Sequence, residues 1–203
     1  MRPLVLTQNV TADGSIEMLD DWFDPSADDS DQLEITARGS AACNAILLGR
    51  KTFEDFRGYW PQQADDTTGI TDELNALQKY VVSSTMTDPG WQNSTILSGD
   101  PVAQVRGLKA TEGEEISLTG SITLCHALIA AGLVDAYVLW TYPYVQGRGR
   151  RLFPEGHVES LELVEHLSFA SGITYTRWNA ARARQTAPDA PPEHHSEHEE
   201  ESP

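Results

Sequence analysis

The sequence predicts an α/β fold with a mostly parallel central sheet and a closing antiparallel hairpin. Three observations carry that prediction. Short apolar runs such as "NAILLG" and "KYVVSS" alternate with helix-like stretches along the first 142 residues. The first of them is the short apolar kind of strand that is covered on both faces. Two further stretches, "LELVEHLSFA" and "ITYTRWN", alternate in polarity around Ser171-Gly172, as an antiparallel hairpin does. The 203 residues suffice for one full core, and 39% are hydrophobic.

The elements follow in order. "LVLTQNV" (4–10) mixes apolar and β-branched types and reads as a strand, closed by the turn signal Asp13-Gly14. Residues 16–31 are irregular and acidic, with Trp22 and Phe23 packing back onto the body. A helix over Ser30 to Ala42 has Leu33, Ile35 and Ala37 as inward candidates. "NAILLG" is a buried strand, and Arg50 opens a helix to about Phe56. Thr71 caps a short helix, with Asp72 and Glu73 in its first turn. "KYVVSS" and "STILSG" are strands. Asp100 and Pro101 form an N-cap and first helical position, and Val102, Val105 and Leu108 recur at helical spacing. "EISLTG" is a strand. The helix from Ser121 carries Ile122, Leu124, Cys125, Leu128 and Ile129 and stops at Gly132. "VDAYVLWTY" is a long strand, and its alternation sends Trp140 and Tyr142 to one side, as core or as pocket. The folded unit is expected over 1–178. From 179 to 203 the chain is rich in Ala, Pro and Glu, and this tail is expected to be disordered. His194, His195 and His198 lie in that acidic tail, where solvation accounts for them better than a metal does.

Charge and composition exclude several classes. The formal net charge is -17, which argues against nucleic-acid binding. No apolar run approaches the roughly 20 residues of a bilayer span, and the start "MRPLVLTQNV" reads as no signal peptide. Cys43 and Cys125 are the only cysteines and read as buried, reduced thiols of a cytoplasmic protein. No metal-ligand spacing stands out in the body.

Ligands of open α/β sheets gather where strands end and helices begin. Three such junctions share one chemistry. In "LLGRKT", Gly49 allows a close turn, Arg50 and Lys51 bring positive charge, Thr52 brings a hydroxyl, and free amides of the first helical turn suit an anion. In "VVSS", Ser83 and Ser84 offer hydroxyls for ribose or phosphate. In "LTGSIT", Gly120 admits a pyrophosphate to the helix start at Ser121 and Ile122. Together they suggest a dinucleotide laid across the strand ends, although the G-x-G-x-x-G fingerprint is absent. Phe53, Phe56, Tyr59 and Trp60 follow as aromatic candidates for a flat pocket, Trp60 foremost. "GRGRR" (147–151) is the densest basic cluster and reads as a mobile surface loop.

The succession "TADG", "LLGRKTFEDF", "KYVVSS", "LTGS" and "GLVDAYVLWTYPYVQGRGRRLFP", then a hairpin, resembles the dihydrofolate reductase superfamily over about residues 2 to 178. Within it, the sequence is most similar to the reductase domain of the bifunctional riboflavin-biosynthesis deaminase-reductase. The resemblance implies a dihydrofolate reductase-like three-layer fold with eight strands, and NADPH as cofactor. It implies Arg50 and Thr52 at the cofactor phosphates, with Arg50 near the 2′-phosphate. It further implies Ser83 and Ser84 at the adenosine ribose and its phosphate, and Gly120, Ser121 and Ile122 at the pyrophosphate. Asp13 and Gly14 would lie over nicotinamide and substrate, and Thr7 and Asn9 would flank a pterin or pyrimidine ring. A proton donor is sought among Asp24, Asp28, Asp29, Asp31 and Glu34. Asp13, Asp29 and Asp31 are the catalytic candidates. The expected activity is reduction of a pyrimidine or pterin substrate by a stand-alone reductase, since no zinc-deaminase motif is present. Dihydrofolate reduction and non-catalytic nucleotide binding are the alternatives. A homodimer paired through sheet edges is plausible for such a fold.

Overall fold

The apolar runs become strands and lie side by side. The structure is a computed structural model that describes residues 1–24 and 30–181. Among these residues the strands are β1 (Leu4–Thr11), β2 (Cys43–Gly49), β3 (Gln78–Val82), β4 (Ser94–Leu97), β5 (Glu115–Leu118), β6 (Ala136–Tyr142), β7 (Ser160–Ser168) and β8 (Thr174–Ala181). They form one eight-stranded sheet in the order β4-β3-β2-β5-β1-β6-β8-β7. Every pairing from β4 to β6 is parallel, whereas β8 runs antiparallel to both β6 and β7. The predicted hairpin is therefore present at one edge. β8 continues to Ala181, opposite Ser160, three residues past the expected end of the folded unit at 178. The pairing explains the difference, because a strand extends as far as its partner can bond it. The expected tail from 182 onward, with its histidines, lies outside the described residues.

Helices cover both faces. They are α1 (Ser30–Ala41), α2 (Arg50–Tyr59), α3 (Ile70–Ala76), α4 (Pro101–Lys109) and α5 (Ile122–Ala130). On one face, Val105 and Leu108 of α4 and Leu124, Cys125, Leu128 and Ile129 of α5 pack on Leu4, Leu6, Leu47, Ile116 and Leu118. On the other, Phe53 of α2 and Leu74 of α3 meet Ile46, Leu48 and Val81. Next to them, Ile35 of α1 reaches a smaller cluster around Val5, Ala136, Val138 and Tyr175. Alternate residues of β1 and β2 thus feed opposite clusters, as the period of two requires. This is the three-layer arrangement.

Several local expectations meet the structure differently. On α1, Gln32 is buried while Leu33 and Ala37 are exposed. Positions 33, 35 and 37 have strand spacing, and two residues on a helix 200° apart cannot share a face. Helix α3 is capped by Gly69 in the left-handed region, not by Thr71. Asp66 takes the amides of Thr68 and Thr71 at 2.8 Å each and winds the preceding loop, so the helix starts earlier. Asp100 does cap α4, its carboxylate accepting the Ala103 amide at 2.7 Å. Gly132 does end α5, with φ 62. No described helix is long and apolar enough to cross a membrane.

Candidate functional site

The three junctions meet at one edge of the sheet. Gly49 pairs with Val82 on β3, and Leu47 pairs with Leu118 on β5. Gly49, Ser83 and Gly120 therefore stand abreast at the carboxyl ends of three neighbouring parallel strands. There the starts of α2 and α5 touch across the edge. A Cβ on Gly49 would lie 2.2 Å from the Ser121 hydroxyl, and one on Gly120 would lie 2.6 Å from the Thr52 methyl. Thr52 Oγ1 accepts the Ser121 amide at 2.8 Å and shares a hydrogen bond with Ser121 Oγ at 2.9 Å. Neither helix start has a capping side chain: Gly49 has none to offer, and Ser121, at φ 51, makes no cap bond. Two sets of first-turn amides are thus left to a ligand, and the dipoles of both helices favour an anion. Gln8 Oε1, two residues past the Leu6–Leu118 pair on β1, is buried without a hydrogen-bond partner among the described residues. A polar ligand with phosphate groups fits this donor set, which the two glycines allow by letting the starts of α2 and α5 pack in contact.

Individual candidates divide. Arg50 does not point freely into the groove, because its guanidinium bonds both Glu54 oxygens at 2.8 and 3.0 Å. Lys51 and Ser84 are exposed at the mouth, and Ile122 is the first residue of α5. Ser83 is buried, with its hydroxyl accepting the amides of Thr85 (3.3 Å) and Met86 (3.0 Å). It closes the turn after β3, so its side chain is committed and Ser84 is the hydroxyl left for a ligand.

The loop after β1 is fastened to the loop after β6. Asp13 accepts from Thr11 Oγ1 (2.6 Å) and from the amides of Gly147 (2.8 Å) and Gln146 (3.2 Å). These bonds, the Thr11 hydroxyl first, hold its carboxyl at a pKa of about 2. Held as an anion by these bonds, Asp13 anchors the loop after β1 to the loop after β6. Gly14, at φ 87, makes the turn. The basic cluster is pinned by acids of the same loop: Arg148 by Asp20, and Arg150 by Glu17, with Nε to Oε1 at 2.6 Å. Arg151 donates to the Asp13 carbonyl. The expected mobile loop is a fastened one, because its charges find partners more than 120 residues away in the chain. Gln146 is the buried hub that sequence reading missed. Its amide nitrogen reaches Ser15 Oγ (2.8 Å) and the carbonyls of Glu17 and Arg148 (3.0 Å each), and its oxygen accepts from the Trp22 indole (2.9 Å). A lone glutamine in a polar loop carries no local signal of such a role.

Beneath α1 lies a cleft of about 120 Å³ lined by Val5, Thr7, Ile35, Thr36, Ser117 and Trp140, among others. Because Leu6 pairs with Leu118, Thr7 and Asn9 stand beside the strand end that carries Gly120. The cleft runs from the amino ends of β2 and β5, at Cys43 and Glu115, up to Thr7. Trp140 stacks on Phe169 at 5.6 Å and meets Tyr175 edge-on at 5.0 Å. Tyr142, two residues on, packs against Trp22 and Phe23 of the loop. Phe53 is not a pocket residue: it is fully buried, 5.7 Å from the Trp91 ring. Trp60 lies against that same cluster and not in the cleft, since it continues α2 as its C-cap, its amide donating to the Phe56 carbonyl. Asp31 and Glu34 face solvent, and the polar side chain that α1 turns inward is Gln32. Asp28 and Asp29 lie outside the described residues. Glu115 lines the cleft and is held by Arg177 at 2.7 Å. Cys43 is half-buried in the cleft wall, not fully buried, and burial pushes its thiol up to about 11. No cluster of the described residues is placed to hold a metal ion.

Residues 2–175 match the model of the RibD C-terminal domain. The chain is 31% identical over 189 residues to the uncharacterized protein YyaP of Bacillus subtilis, covering 88% of this chain and 96% of that one. Similar solved structures include a putative riboflavin biosynthesis protein from Shewanella sp. PV-4, at TM-score 0.66 and 18% identity over 89% of this chain and 99% of that one. A pyrimidine reductase-like protein from Corynebacterium diphtheriae superposes at TM-score 0.64 and 14% identity, over 89% and 92%. Dihydrofolate reductase from Enterococcus faecalis, complexed with NADP(H) and RAB-propyl, does so at 0.59 and 15%, over 89% and 97%. At such identities these structures establish the fold, which is dihydrofolate reductase-like.

Proposed function

We propose that this chain, which belongs to the RibD C-terminal domain family, is an NADPH-dependent reductase of a pyrimidine-type substrate. The activity it most resembles is that of 5-amino-6-(5-phosphoribosylamino)uracil reductase. The observation that carries the reading is the meeting of two uncapped helix starts over Gly49 and Gly120, with no room for a side chain at either.

In this reading the amides at Ile122 and the start of α2 bind the pyrophosphate. Arg50, Lys51 and Ser84 take the adenosine end. The Thr52–Ser121 bonds hold the two helix starts at fixed separation, so the groove is formed before a ligand arrives. When bound, NADPH supplies the hydride. Thr7 and Asn9 orient the heterocycle at the cleft mouth, and the fastened loop with Trp22 and Phe23 limits water.

The test is tryptophan-fluorescence titration with NADPH and NADH, then assay of reduced-nicotinamide loss with the aminopyrimidine ribosyl phosphate and with dihydrofolate. NADPH binding with turnover of the first substrate alone is the expected result. Binding with no turnover of either would favour a nucleotide-binding protein without catalysis, and failure to bind would end the proposal.

A further inference from the structure

We infer that Glu54 narrows the cofactor preference of this site by competing with the incoming phosphate for Arg50; the inference rests on the reading proposed above. Arg50 is the first residue of α2, and Glu54 sits one turn further along. Side chains on a helix lean toward its N-terminus. The Glu54 carboxylate therefore leans back to Arg50, and one guanidinium nitrogen bonds both its oxygens at 2.8 and 3.0 Å. The guanidinium is thus engaged by Glu54 at the start of α2.

That arrangement is electrostatically weak. A cation at the first helical position opposes the helix dipole, and the order Arg then Glu at i,i+4 is the less favourable one. No acidic residue occupies the first turn of α2 to offset it. The pair is also solvent-exposed, at 50% and 37% of the two side chains. Exposed pairs of this kind shift an equilibrium only about twofold. A dianionic 2′-phosphate outcompetes such a carboxylate and draws Arg50 toward the groove. A ribose 2′-hydroxyl carries no charge and leaves the pair intact, while Glu54 can accept its proton in a hydrogen bond. Glu54 therefore lowers NADPH affinity without lowering NADH affinity, and it narrows the preference between them.

Glu54→Gln keeps the side-chain shape and removes the competition. Titrated by tryptophan fluorescence, E54Q should bind NADPH about twofold more tightly, with NADH unchanged or weaker. In an Arg50→Ala background, the same substitution should leave NADPH binding unchanged, because its effect runs through the guanidinium. Weaker NADPH binding by E54Q would show that Glu54 positions Arg50 for the phosphate and would overturn the inference. Equal tightening of both nucleotides would overturn it too, as an effect of bulk charge. If the unaltered chain binds neither nucleotide, the NADPH reading itself fails and this inference falls with it. Because Glu54 is exposed, matching thermal melts for E54Q and the unaltered chain are the expected control.

Discussion

At positions 49 and 120 a single methyl group decides the geometry of the groove. Gly49→Ala would drive Cβ to 2.2 Å from the Ser121 hydroxyl, and Gly120→Ala would place it 2.6 Å from Thr52 at a φ of 61. Each substitution must part the two helix starts or strain the backbone. A loss of about 1–3 kcal/mol in urea unfolding is expected for each. NADPH affinity should fall at least about tenfold, since the amides no longer converge. An NADPH titration of G49A unchanged from the parent would remove the groove from the mechanism. Asp13 allows a second test. Its folded pKa, about 2, lies below its ordinary value of 3.8, so the stability it contributes is present above that ordinary value and is lost as pH falls through about 2. The pH dependence of kcat/KM between pH 5 and 9 should therefore keep its shape in Asp13→Asn while its amplitude drops, as the fastened loop loosens. A lost acidic limb in D13N would restore Asp13 as a titrating catalyst. Residues 49 and 120 were legible because a glycine before a helix is a local signal. The commitments of Ser83 to its turn and Asp13 to Gly147 were not, since their partners appear only once the chain has folded.

Between elements, the link that matters most is the one from α2 to α5. Thr52 holds Ser121 by two hydrogen bonds, at 2.8 and 2.9 Å, over 69 residues of sequence. Thr52→Val keeps the volume and deletes both. The Ser121 amide, part-buried, is then left without its acceptor. The expected cost is about 1–2 kcal/mol in urea unfolding, with weaker NADPH binding, whereas Thr52→Ser should recover most of both. A second element-level device is the fully buried Lys79 of β3. It donates to the Leu74 and Leu77 carbonyls at 2.6 and 2.8 Å, closing the end of α3, and stands 4.6 Å over the Trp91 ring. Burial lowers its pKa from 10.5 to about 8. Between those values the unfolded chain holds the proton and the folded one has released it, so this contribution to stability rises with pH from about 8 toward 10.5. Buried thiols act oppositely: Cys125 is pushed up to about 12, so unfolding becomes easier above the ordinary thiol pKa of 9.0. The Lys79 effect is therefore read as the difference in urea midpoint between the parent and Lys79→Met, measured at pH 7.5 and pH 10. That difference should shift in the parent's favour at the higher pH; a constant difference would refute the titration. The elements themselves were legible, Asp100 and Gly132 included, because caps act within one turn. Which side α1 buries was misread, since its pattern of apolar residues follows a strand's period.

At the scale of the whole molecule, alternation and doubly apolar runs made the three layers readable, and the three junctions read from sequence stand together at one sheet edge. Contacts between the loops after β1 and β6 escaped, because Glu17 meets Arg150, Asp20 meets Arg148, and Asp13 meets the Gln146 and Gly147 amides across the fold and nowhere in sequence. The same charges govern how an anionic cofactor would arrive. The chain carries a net charge of -17, so its far field repels NADPH, and only local groups such as Arg50 and Lys51 attract it. Screening separates the two effects by distance. At about 0.01 M salt the Debye length is about 30 Å, and the ligand feels the whole acidic surface. At about 0.15 M it shrinks to about 8 Å, so distant carboxylates fade while the groove's own amides and cations still act. The association rate measured by stopped-flow tryptophan quenching should therefore rise with salt over this range, by about two- to fivefold. Beyond about 0.5 M it should level or fall, as local attraction is screened in turn. A rate that falls steadily from the lowest salt would mean that a basic surface steers the ligand, and the groove at Gly49 and Gly120 would not be its first point of contact.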